Sequence, residues 1–155
     1  MKTRSGFVSN SSSSSFIIIS DNIDTEYIKL LKKQYAGTTP LVVDNEFGTT
    51  AFGLEPHEYN DFGSKVIFAY LQYLYIKDKH PEWLVMLEKV LKNKLGVKEI
   101  KWIINTDGIV ENYAYIDHQS NSSEGSNIEI FDSKLKLTRF LFNTSSTINT
   151  DNDNY

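Results

Sequence analysis

Cysteine is absent from this chain of 155 residues. That excludes disulfides, thiolate zinc sites and cysteine nucleophiles together, and it fits a reducing compartment, since small secreted domains commonly rely on disulfides. A basic stripe is lacking too. Lys and Arg number 16 against 20 Asp and Glu, for a net charge of -4 with both signs mixed along the chain. This argues against a non-specific nucleic-acid clamp. No apolar run reaches the roughly 20 residues needed to span a bilayer, so no membrane partner is expected. Lys2 and Arg4 open the chain as in a signal peptide, but the run Phe16 to Ile19 falls short of the roughly 7–15 apolar residues such a signal requires. A cytoplasmic location is expected, where the sequon Asn10-Ser11-Ser12 meets no glycosylation machinery. P-loop, dinucleotide, zinc and nucleophile-elbow patterns are all missing, and no cofactor is expected.

What is present suits one domain. A chain of this length buries roughly 70% of its unfolded surface, and 40% apolar and 13% aromatic residues supply a ring-rich core. The composition divides the chain into a Ser-rich leader over 1–15, a domain over 16–143 and an acidic, Asn-rich tail over 144–155. Phe16 to Ile19 reads as a buried strand. Asp21 or Asp24 caps a helix whose apolar face is Tyr27, Leu30 and Leu31, and Gly37 ends it. Leu41 to Val43 is a second strand, and the glycines around Glu46-Phe47-Gly48 and Phe52-Gly53 predict a hairpin or bend. Val66, Ile67, Tyr70, Leu71, Leu74 and Tyr75 fall at helical spacing, in a helix taken to run from Tyr59. His80-Pro81 breaks it, and a second helix follows to Gly96, making an αα-hairpin.

Alternation at Ile100, Trp102 and Ile104, the Asp107-Gly108 turn signal, and Val110 to Ile116 predict a strand pair. Asp132 or Ser133 caps a last helix through Phe142. The fold class is α/β of the α+β type, with a small mixed or antiparallel sheet, the αα-hairpin and one or two further helices.

Candidate chemistry centres on Asp117-His118-Gln119-Ser120, where a strand end opens a polar loop. His118 is a candidate general acid or base, with Asp117 or Glu46 orienting it. A satisfied polar strand end and a solvent-facing Glu46 are the plainer readings of the same residues. His57 and His80 read as cap or surface residues. Asp151 and Asp153 are weak cation candidates, because the spacing lacks the glycine and distal glutamate of a calcium loop; a free acidic end is the plainer reading. Ser11 to Ser15 form a run of small hydroxyls. Left alone it would be mobile and easily cut. Packed, it could present hydroxyls and backbone N–H groups to a ligand, with Ser11, Ser12, Ser13, Gln119 and Ser120 as candidate binding residues.

Four strings carry a resemblance: RSGFVSNSSSSSF (Arg4 to Phe16), FAYLQ (Phe68 to Gln72), YIDHQS (Tyr115 to Ser120) and FLFNTSSTINTDNDNY (Phe140 to Tyr155). Together they resemble uncharacterised proteins of large tailed bacteriophages and some bacteria. The resemblance touches both ends and the middle of the chain. It implies a phage-encoded accessory protein in the cytoplasm of an infected bacterium, and no activity comes with it. Two readings follow. One is a non-enzymatic protein that binds a host or phage macromolecule, most simply a protein. The other is a small hydrolase or transferase using His118 with Glu46 or Asp117.

Overall fold

The computed structural model describes residues 13–53, 55–117 and 119–152. They form one α+β domain with seven short strands and four α-helices. Its centre is helix α2 (Phe62–Ile76), in which Phe62 to Ala69, Leu71 and Gln72 are all buried. A helix apolar nearly all round must be covered on every side. Helix α1 (Thr25–Tyr35), helix α3 (Glu82–Leu95), helix α4 (Lys134–Leu141) and the sheets supply that cover. Rings fill the core, as the composition predicts. Phe52 meets Phe68 edge-on at 5.2 Å, Tyr70 stacks on Trp102 at 4.3 Å, and Trp83 stacks on Phe131 at 4.4 Å.

The helix ends follow local chemistry. The Asp24 carboxylate accepts from the Tyr27 N–H, Asp61 from Ser64, and the Ser133 hydroxyl from Lys136, each satisfying an N–H that the helix leaves free. Gly96 closes α3 with φ 71°, a conformation that costs glycine nothing. Helix α2 starts at Phe62, because Tyr59 belongs to a strand. On α1 the buried contact is Leu31, and Leu30 is 61% exposed.

The strands depart from the expected hairpins. Strand β1 (Ser13–Ile18) and strand β4 (His57–Tyr59) flank strand β7 (Thr147–Asn152) in a three-stranded antiparallel sheet of order β1-β7-β4. The sheet crosses both boundaries drawn from composition. Part of the segment read as an acidic, Asn-rich tail is the central strand, with Ile148 fully buried. Its Asn and Asp residues disfavour a strand in isolation, but pairing on both sides overrides that preference. Phe16 and Ile17 are half-buried and Ile18 is exposed, as suits an edge strand rather than a buried one.

Strand β2 (Leu41–Asp44) pairs with β5 (Ile100–Ile103), and β3 (Ala51–Phe52) with β6 (Tyr115–Ile116), both in parallel. Neither the bend at 46–53 nor the Asp107 turn therefore makes a hairpin. Asn45 instead fastens the 105–112 loop: its Oδ1 accepts from the Asn105 N–H at 2.7 Å, and its Nδ2 donates to the Asn112 carbonyl at 2.9 Å. Glycine is required where the bend meets α2. A Cβ on Gly63 would sit 1.9 Å from the Phe47 carbonyl oxygen, and one on Gly48 would sit 2.3 Å from the Ser64 nitrogen.

Candidate functional site

The serine strand, the YIDHQS loop and helix α2 meet in one buried polar junction. Ser120 is fully buried, and its Oγ accepts from the Ser15 N–H at 2.6 Å. Asn127 Nδ2 donates to the carbonyls of both Ser15 and Ser120 at 3.0 Å. Gln72, fully buried on α2, donates to the Ser120 carbonyl at 3.3 Å and accepts from the Ser122 N–H at 2.6 Å. Ser122 Oγ donates to the Gln72 carbonyl at 2.5 Å. Asn121 accepts from the Ser123 N–H and hydroxyl. Buried polar groups persist only when paired, and this junction pairs nearly all of its own. Among the described residues the Ser15 hydroxyl is the exception: it is buried with no partner there.

Asp117 lies beside the junction. Its N–H donates to the Phe52 carbonyl at 2.9 Å and its Oδ2 accepts from the Gln119 N–H at 3.2 Å. Gly53 admits it closely, because a Cβ there would come within 2.6 Å of Asp117 Cβ. Two phenols stand nearby. Tyr75 OH donates to the Ile116 carbonyl at 3.3 Å and accepts from the Ile116 N–H at 3.0 Å. Burial pushes the Tyr75 hydroxyl above its ordinary range; the bond to Ile116 opposes this, and the Tyr113 and Asp117 charges reinforce it. Burial also raises Tyr115, helped by Tyr113 and Asp117. Both phenols are therefore neutral hydrogen-bonding groups near neutral pH.

The structure brings together some sequence candidates and separates others. Ser13 and Ser14 pair with Asn152 and Asp151, so the serine strand and the acidic end are neighbours through their backbones. Gln119 is exposed and its carbonyl accepts from Ser126 Oγ at 2.9 Å. Glu46 is exposed on the turn after β2, where its N–H donates to Asp44 Oδ1. That turn packs at Gly63, whereas Ser120 meets α2 at Gln72, about 13 Å further along the helix at its ordinary rise. Glu46 therefore does not share the Ser120 junction. His57 lies in β4 against Tyr59, and His80 bonds Glu82 at 2.9 Å. His118, Ser11, Ser12 and Asp153 lie outside the described residues, as does the side chain of Asp151. Among the described residues, no three acidic or histidine side chains are grouped so as to hold a metal ion, and no helix is long and apolar enough to cross a membrane.

Two features escaped the sequence reading. Lys65, fully buried on α2, donates from Nζ to the carbonyls of Asn143 at 2.7 Å and Ser146 at 3.1 Å. Burial pushes its ammonium down to about 7, against the pull of Asp61. Asn143 and Ser146 extend this hub: Asn143 Nδ2 reaches Ser20 and Asn22, and Ser146 Oγ donates to the Arg139 carbonyl. The available signal was a lone lysine inside an apolar helix. The second feature is a groove of about 570 Å³ between α3 and α4, lined by Ile23, Val90, Leu135 and three lysines. Its residues come from three distant segments, so no local pattern marks it. No protein-family model, curated protein or solved structure matches this chain.

Proposed function

We propose that the chain is a non-enzymatic binding module, a phage-encoded accessory protein that holds a protein partner in the cytoplasm of an infected bacterium. The observation that carries this reading is how the YIDHQS serine is used. Ser120 is sealed from solvent and spent on the Ser15 N–H, and the Gln72 and Asn127 amides occupy its carbonyl. A group that handles substrate must reach it; one that locks a strand, a loop and a helix together serves the architecture. Three of the strings behind the resemblance supply such locking residues: Gln72 of FAYLQ and Ser120 of YIDHQS in the polar junction, and Asn143 and Ser146 of the last string at the separate Lys65 hub. The phage setting itself rests on that resemblance.

The test uses the purified full-length chain and its His118→Ala variant against panels of phosphate esters and peptides. No turnover by either protein, with a partner crosslinked in cells binding both equally once purified, is the expected result. Turnover that disappears in His118→Ala at unchanged thermal stability would overturn the reading and establish a hydrolase or transferase.

A further inference from the structure

The groove between α3 and α4 combines two properties that select one kind of occupant. Its floor is apolar: Val90 is buried beneath it, while Ile23 and Leu135 remain 40% and 46% exposed. Its rim is cationic, with Lys89, Lys94 and Lys134 and, among the described residues, no carboxylate in the lining.

The distribution of ion pairs sharpens the contrast. From the same two helices, Lys92 pairs with Glu88, and Lys136 with Asp132 just ahead of α4. Among the described residues, the three groove lysines have no such partner. Their stems can lie along apolar surface while the ammonium groups stay in water. A cationic rim in a chain of net charge -4 is a local reversal of sign.

We propose that this groove docks an acidic amphipathic segment of a protein partner, with apolar side chains seated on Ile23, Val90 and Leu135 and carboxylates facing the three lysines. The proposal rests on the binding-module reading and names the partner's chemistry. Helix-in-groove recognition uses apolar anchors at i, i+4 and i+7 with charges on the flanks, and a groove of about 570 Å³ takes a few such anchors. A nucleic-acid strand fits less well, because phosphates gain nothing from the apolar floor and the acidic chain repels a polyanion at long range. The chain's own first residues fit less well too, because Met1 to Ser12 carry Lys2 and Arg4 and no carboxylate.

The experiment titrates a designed peptide, with leucines at i, i+4 and i+7 and glutamates between them, into the labelled full-length chain and follows amide shifts. Shifts clustered at Ile23, Val90, Leu135 and Thr138 are expected. The Lys89→Glu, Lys94→Glu, Lys134→Glu variant should lose affinity by about tenfold or more, since its three attractions become repulsions. Leu135→Ser, at an exposed position that folding tolerates, should weaken binding with every charge intact.

Equal binding of polyglutamate or single-stranded DNA would overturn the proposal, because the floor would then go unread. Loss of a solution dimer in Leu135→Ser would also overturn it, assigning the groove to a second copy of the chain. If a validated partner binds the triple variant as well as the wild type, the groove assignment fails while the binding-module reading stands. Turnover that depends on His118 removes that reading instead.

Discussion

Lys65→Met separates a buried amine's hydrogen bonding from its charge. In the native chain the Lys65 amine is pushed down to about 7, against 10.5 for a free lysine. A neutral amine has two N–H donors, and two carbonyls, those of Asn143 and Ser146, receive them. The charged form brings a third donor with no carbonyl acceptor among the described residues; the Phe140 ring lies 6.0 Å away, and Asp61 pulls in its favour. Between pH 7 and 9 the unfolded chain keeps the Lys65 proton that the native chain releases. The Lys65 contribution to stability therefore rises with pH, by about 2 kcal/mol across that window, and is nearly flat below pH ~6, where both states hold the proton. Above pH ~10 the raised tyrosines, Tyr27, Tyr35, Tyr59, Tyr70, Tyr75 and Tyr115, reverse the trend, because they ionise first in the unfolded chain. Urea unfolding of wild type and Lys65→Met at pH 6, 7, 8 and 9 gives the difference curve. Methionine removes the slope and leaves the Ser146 carbonyl without its lysine donor, a cost of about 1–3 kcal/mol that is greatest at pH 9. Parallel curves for the two proteins would refute the reasoning and show that the two carbonyls hold the ammonium charged throughout.

The polar junction supports three further predictions. Gln72→Leu keeps the volume but strips the Ser122 N–H of its acceptor, so unfolding should become easier by about 1–3 kcal/mol, with faster hydrogen exchange at Ser122; wild-type stability would show that the junction is dispensable. Ser15→Ala removes a buried hydroxyl that has no partner among the described residues and should leave stability unchanged or raise it by up to about 1 kcal/mol. Ser120→Ala removes the acceptor of the Ser15 N–H and should cost about 1–2 kcal/mol. A larger loss at Ser15 than at Ser120 in denaturant melts would reverse these assignments.

Features that depend on near neighbours could be read from the chain alone. The caps were legible to within a pair of residues, Asp21 or Asp24 and Asp132 or Ser133, and the break at His80-Pro81 and the stop at Gly96 outright, because each bond closes within a few residues and the residue type carries the geometry. The apolar periodicity of α2 and α3 was legible for the same reason. Strand partners were not, since an extended segment has no internal hydrogen bonds and takes its identity from what lies beside it. Thr147 to Asn152 reads as a polar tail until β1 and β4 bracket it. Ile100 to Ile103 and Tyr115–Ile116 read as a strand pair until each finds a parallel partner elsewhere. Ser15 and Ser120 are 105 residues apart in the chain, and Lys65 lies 78 from Asn143. The lysine-rimmed groove likewise draws on α3, α4 and Ile23. Only tertiary packing decided these contacts, because the energy that holds them comes from burying groups distant in sequence against one another.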